Sequence, residues 1–237
     1  MGALYFVVAE LTYSTMFGIL AFMPNDFPLV SREYHDGLYY PISYYLSKVC
    51  SFLPLFTLDG LIMMTISFVM ILFNGSVKTL MQILGSGVLI EWSAAACGVM
   101  LSTIFPSYAI AMSVAGPLIT VLSLVGGIYA NVGHLPVYIR WMQYISWFKY
   151  GFEAFSIFEW LEVEEDGCVV QLRNVSHLAL EGSDQRNVTC LSADDILDLY
   201  SLKRENIYLD IGVLLGFIVF FYTIGLFSLY IRLRLSR

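Results

Sequence analysis

Long apolar runs along this chain are separated by polar intervals, and the length of each run decides what it can be. A helix needs roughly 20 apolar residues to cross a bilayer core about 30 Å thick. Five stretches reach that length, at 2–23, 52–73, 80–104, 108–130 and 208–231. None of the first three is wholly apolar, since Glu10, Asp59 and Glu91 interrupt them in turn, and Asp210 sits near one end of the last. The pattern predicts an all-α polytopic membrane protein with five spans. Its two main polar intervals lie at 24–51 and 131–207.

Composition strengthens this assignment. Hydrophobic residues make up 58% of the 237 positions and charged residues 13%, with a mean hydropathy of +0.74. An ordinary soluble domain is about half apolar and a quarter charged, so this chain lacks the polar groups to cover a water-facing surface. Twelve of the nineteen acids lie between Asn131 and Ile207. The net charge of −7 therefore belongs mostly to one loop and carries no signal for nucleic acid. Met1 runs directly into an apolar stretch without a basic leader region, so no signal peptide is predicted. A start inside a hydrophobic element is expected of a fragment, or of a product without its natural N-terminus.

Lys and Arg in short flanks set orientation. The tail after the last span carries Arg232, Arg234 and Arg237 and is expected in the cytoplasm. Counting back places the 24–51 segment, with Arg32 and Lys48, on the same side and the 131–207 loop outside. That loop holds the sequons Asn174-Val-Ser176 and Asn187-Val-Thr189, bracketed by Cys168 and Cys190. An oxidising compartment favours a Cys168–Cys190 bridge; two free thiols, or pairing with another subunit, are the alternatives. A third sequon at Asn74 is predicted to lie too near the membrane for modification. Residues 135–160 are rich in aromatics and broken by Arg140, Lys149 and Glu153, which suits helices at the lipid–water interface and a re-entrant turn near Gly133 and Pro136.

Candidate chemistry begins with absences. No G-x-x-x-x-G-K-[ST] phosphate loop occurs, and no G-x-S-x-G or H-E-x-x-H. His35, His134 and His177 have no metal-ligand spacing. No catalytic site and no metal site is expected on this chain, and an intramembrane hydrolase built on Asp59 or Glu91 would have no paired motif. Residues 32–48 combine Arg32, Glu33, His35, Asp36 and Gly37 with a cluster of tyrosines, and form either a short helix that docks on a soluble partner or a solvated connector. Ser113, Gly116, Thr120, Ser123 and Gly127 recur at spacings of 3 and 4, on one helical face. Small residues in such a stripe make a packing seam between helices or the wall of a substrate path. Glu10, mid-span, is expected to face water, substrate or a neighbouring helix, or to bond Thr12 or Tyr13.

Three segments carry a resemblance: GALYFVVAELTYSTMFG at 2–18, REYHDGLYYPISYYLSK at 32–48, and LPVYIRWMQYISWFKYGFEAFSIFEW at 135–160. In order and spacing they resemble the membrane domain of the White-type (G subfamily) ABC half-transporters, over nearly the whole chain. RE-x-x-x-GLYY followed by Leu53-Pro54, and W-x-x-YGFEA at 147–154, are its most specific parts. The resemblance implies an ABC-2 type exporter fold of six helices, of which this chain would lack the first, and a separate nucleotide-binding domain holding ATP and magnesium. It implies dimerisation with a second half-transporter, the same or different. By position, Arg32, Glu33, His35, Gly37 and Tyr39 would contact the ATPase. Phe6, Glu10, Tyr13, Gly116, Thr120 and Ser123 would line a cavity, below a gate at Ile128 and Tyr129. The implied cargo is a hydrophobic or amphipathic small molecule such as a sterol, lipid, pigment precursor or xenobiotic, moved at the plasma membrane or an intracellular vesicle membrane. The competing expectation is a scaffold without an ATPase that regulates a partner half-transporter. Treatment with peptide-N-glycosidase should increase gel mobility through Asn174 or Asn187; no shift, with both side chains unmodified by mass spectrometry, would reverse the assigned orientation.

Overall fold

The computed structural model describes residues 2–71, 77–126, 141–163, 170–171, 190–191, 197, 202 and 204–236. Among the described residues the regular structure is helical apart from one two-residue antiparallel pair. The helices are α1 (Gly2–Leu20), α2 (Phe22–His35), α3 (Pro41–Ile71), α4 (Val77–Ile104), α5 (Tyr108–Leu124), α6 (Trp147–Val163) and α7 (Ile207–Leu235). Strands β1 (Val170–Gln171) and β2 (Cys190–Leu191) pair with Gln171 opposite Cys190. Among the described residues four helical runs are long and apolar enough to cross a membrane: Gly2–His35, Pro41–Met70, Val77–Ile104 and Ile207–Leu235. Helix α5 is apolar but shorter; the predicted span 108–130 extends past it into residues 127–130, which lie outside the described residues.

Local sequence explains the boundaries. Pro24 has no N–H to donate to the Leu20 carbonyl one turn earlier, and the chain steps from α1 into α2 at Ala21. Helix α2 ends at Gly37, which takes the left-handed conformation at φ 73°. The Leu38 N–H reaches the Glu33 carbonyl at 3.2 Å and the Gly37 N–H the Tyr34 carbonyl at 3.2 Å, the paired bonds of a Schellman terminus. Pro41 then opens α3, where a missing N–H costs nothing. Helix α3 therefore starts well before the predicted apolar boundary at residue 52, because Tyr44, Tyr45 and Lys48 continue the helix below the lipid-length run. Pro106 ends α4, and Ser107 caps α5 by accepting from the Ile110 N–H at 3.4 Å.

Helix α4 is the centre of the bundle and packs against α1, α2, α3, α5, α6 and α7. Most of it is buried, whereas α3 and α7 have few buried positions. Its run of Ser93, Ala94, Ala95, Ala96, Cys97 and Gly98 lets neighbouring backbones approach, and a side chain at Gly98 would strike Ile19 and the Met16 carbonyl of α1. Three consecutive α4 residues reach three different helices. Glu91 accepts from Thr15 Oγ1 of α1 at 3.2 Å, the Trp92 indole donates to Thr57 Oγ1 of α3 at 2.8 Å, and the Ser93 hydroxyl, which donates to the Leu89 carbonyl of its own helix at 2.8 Å, lies 3.4 Å from the Leu214 carbonyl of α7. Successive helical residues are turned by 100°, so a run of three polar side chains in one turn fans out to three neighbours.

Glu91 is almost wholly buried. It turns towards Thr15, while Asp59 stays exposed on α3. Gly60 makes room for the carboxylate, and a methyl group there would overlap it. Replacing Gly60 by Ala should destabilise the bundle by about 1–3 kcal/mol, read as a lower thermal midpoint in detergent. Gly85→Ala, at an exposed α4 position with open space around it, should leave the midpoint unchanged or raise it.

Candidate functional site

The predicted cavity residues fall on α1 and α5, which meet near the end of α5. The Tyr5 hydroxyl donates to the Ser123 carbonyl. The Tyr13 hydroxyl lies 3.4 Å from Ser123 Oγ. The Tyr5 ring also stands edge-on to Phe152 of α6 at 5.7 Å. Ser146, just before α6, donates to the Leu122 carbonyl at 2.8 Å, so α5 is held from two sides. Ser123 is accordingly buried. The rest of the stripe is not. Ser113 and Thr120 are exposed, and Gly116 has nothing within 4 Å of where a Cβ would stand.

On α1 the matching positions are open as well. Phe6 is 65% exposed, Glu10 is exposed, and Tyr13 is half-buried at the contact with α5. Thr12 donates to the Val8 carbonyl at 2.8 Å and Tyr13 pairs with Ser123, so neither holds Glu10. No hydrogen bond or ion pair joins Glu10 to another described residue. The hydroxyls of the wall are satisfied within their own helix: Ser113 donates to Ile110 at 2.8 Å, Thr120 to Gly116 at 2.8 Å and Ser123 to Thr120 at 2.9 Å. Between the packing seam and the open wall, the stripe divides. Ser123 is a seam to α1, while among the described residues Ser113 and Thr120 are exposed and Gly116 has open space around it. Ile128, Tyr129 and Gly127 lie outside the described residues, as do Asn174, Asn187 and Cys168. Cys190 lies on β2.

At the opposite end of these helices, α2 is braced against the start of α3. Glu33 accepts from the Tyr39 hydroxyl at 2.6 Å, and the Tyr39 ring stacks on Tyr44 at 6.0 Å. Tyr44 donates to Asp26 at 3.3 Å, and Lys48 pairs with the same Asp26 oxygen at 2.6 Å. These contacts join residues that the sequence presented as a plain tyrosine cluster. Burial, then the hydrogen bond to Glu33, pushes the Tyr39 phenol up to about 12. Arg32 and His35 project outward, His35 with Nδ1 against the Ser31 carbonyl at 2.6 Å. Together with Ser31, Asp36 and Ser236 they border an open polar hollow of about 470 Å³.

Sequence reasoning did not single out Tyr5 or Arg232. Tyr5 lies two turns before Tyr13 and could have been found as its partner on that side of α1. Arg232 was counted only for orientation, yet its guanidinium reaches the α4–α5 turn.

With this geometry the family match has a structural footing. Residues 1–160 match the ABC-2 type transporter family, and the chain belongs to it. The chain is 41% identical over 236 residues to the ABC transporter ATP-binding protein/permease wht-3 of Caenorhabditis elegans, covering 100% of this chain and 35% of that relative. It is 29% identical over 234 residues to Protein scarlet of Drosophila melanogaster (98% and 33% covered) and 28% identical over 236 residues to Protein white of the same organism (98% and 32% covered). The chain thus spans about a third of the length of these White-type relatives, and what it shares with them is their membrane part.

The Tyr39 phenol holds its proton more tightly folded than unfolded, so the stability it adds is complete below its ordinary value of 10.0 and is lost as pH rises towards about 12. Thermal midpoints of the wild type and Tyr39→Phe in detergent should differ at neutral pH, with the wild type higher. The gap should close across that window.

Proposed function

We propose that this chain is the transmembrane subunit of an ATP-driven exporter that moves a hydrophobic or amphipathic small molecule by alternating access. The observation that carries the reading is the open wall of α1 and α5. Among the described residues Phe6, Glu10 and Thr120 are exposed and Gly116 has open space around it, although they sit in helices whose other faces are closely packed. A carboxylate in the middle of a membrane helix needs water or a protein partner, and a second half-transporter facing this wall would supply both a lining and an enclosed aqueous space.

In this reading the wall forms one half of a central cavity, with Tyr13 and Ser123 at its edge and Ile128 and Tyr129 as the gate towards the outer loop. Arg32, Glu33, His35, Gly37 and Tyr39 transmit the closure of an ATPase domain, which holds the ATP and magnesium. Its engagement shifts the dimer between inward- and outward-facing states, and cargo that binds the two states unequally is carried across. The braced network from Glu33 to Lys48 supports this role, because a push on α2 is not lost in a flexible joint. The name of wht-3, an ATP-binding protein/permease, supports pairing of this membrane part with an ATPase.

Thr120→Leu fills the wall without touching the α1–α5 seam. In the form that carries the ATPase, it should change the ranking of transported lipids and pigments by about tenfold or less in relative rate, an energy on the scale of one or two buried methylenes, with surface level unchanged. A loss of surface level with the ranking intact would return Thr120 to a packing role. ATP turnover without movement of any cargo would favour the scaffold reading.

A further inference from the structure

Arg232 lies in the last turn of α7, and its contacts cross three parts of the chain that are far apart in sequence. Its guanidinium carbon stands 3.8 Å from the centre of the Phe27 ring on α2. Nη1 donates to the Phe105 carbonyl at 3.1 Å and, more weakly, to Thr103 at 3.4 Å; Nη2 donates to Pro106 at 3.3 Å. These are carbonyls of the last turn of α4 and of the linker to α5. The end of a helix leaves its final carbonyls without intrahelical partners, and a cation placed there also meets the negative end of the helix dipole. No carboxylate among the described residues pairs with Arg232, so its position is set by the planar fork on three carbonyls and the face of one ring. A lysine could bring the charge but neither the fork nor the stack.

The linkage continues on both sides. Beyond Pro106, Ser107 caps α5, the helix that carries Gly116 and Thr120. Beyond Phe27, α2 is tied to the end of α7 again through Ser31 and Ser236, whose hydroxyls are 2.8 Å apart, and to α3 through Asp26 and Lys48. Helix α2 therefore has a direct connection to the start of α5 that does not run through α1.

We propose that Arg232 is the positioning residue that makes α2 and the first turn of α5 move together, so that displacement of the coupling segment reaches the cavity wall. The mechanical link is a property of this chain; its use in transport rests on the exporter reading above. Two measurements separate these. In lipid nanodiscs, spin labels carried on non-natural side chains at positions 35 and 109, both exposed, report the distance between α2 and the start of α5. The wild type should give one narrow distribution and Arg232→Gln a broad one, with Arg232→Lys in between. Phe27→Leu, which keeps an apolar side chain against the bundle, should broaden it as well. An unchanged distribution in Arg232→Gln and Phe27→Leu overturns the link.

In the ATPase-bearing form, Arg232→Gln should lower cargo moved per ATP hydrolysed by about fivefold or more, the scale of a typical coupling energy, with ATPase rate and surface level retained. An equal fall of ATPase, transport and surface level would mean a purely structural role and would sink the proposal. Should the wild type move no cargo, the exporter reading fails, and the distance measurement still decides whether Arg232 makes the link.

Discussion

The bundle depends on polar side chains of α4 that make contacts where water cannot reach them. Helix α4 places Glu91, Trp92 and Ser93 in one turn and sends each to a different neighbour, α1, α3 and α7. An apolar seam between helices in lipid has little directional preference, because lipid tails are as apolar as the side chains. Polar contacts supply that direction. These polar contacts set α1, α3 and α7 around one level of α4, and the small residues from Ala94 to Gly98 then bring the backbones close. Gly60 belongs to the same arrangement, since it leaves the room that the Glu91 carboxylate occupies.

The two ends of the bundle are built on different principles. The end carrying α2 is held by charged and phenolic groups in series, from Glu33 through Tyr39, Tyr44 and Asp26 to Lys48, with Arg232 closing the α4–α5 turn. The opposite end is held by aromatic burial: Trp147, Phe148, Phe152 and Phe155 of α6 are all nearly inaccessible, and Tyr5 reaches across to them. The aromatic run that the sequence suggested for the lipid–water interface thus divides, with Trp141 and Tyr144 exposed and the α6 residues turned inward. Glu153 of α6, which broke the apolar pattern, meets Asn206 at 3.1 Å just before α7.

Much of this was legible in the chain. The apolar runs located α1, α4 and α7, because lipid imposes a length that few other environments do. Spacing placed Ser113, Gly116, Thr120 and Ser123 on one face of α5, and the polar segment around Arg32 falls at the end of α2. The start of α3 was not legible from hydropathy, which registers where lipid ends and not where the hydrogen-bonded helix ends. Nor did spacing reveal what each residue of a face would meet: Ser123 and Thr120 share the α5 stripe, yet one is buried by Tyr5 and Tyr13 and the other is open. Arg232 looked like any basic flank because its partners are backbone carbonyls, which carry no residue-type signature.

Under the exporter proposal, the wall of α1 and α5 has one property that bears on selectivity. The hydroxyls of Ser113 and Thr120 already donate to carbonyls of their own helix, so in the proposed role they would offer a molecule acceptor lone pairs and carbon surface, not free protons. Such a surface would sort ligands by girth and contour, with a broad tolerance. Evolution can retune it in small steps, one methylene at a time, without ever stranding a buried donor. Glu10, exposed on α1, is the charged position of that proposed wall, where a change of charge would alter the kind of molecule admitted and not merely its size.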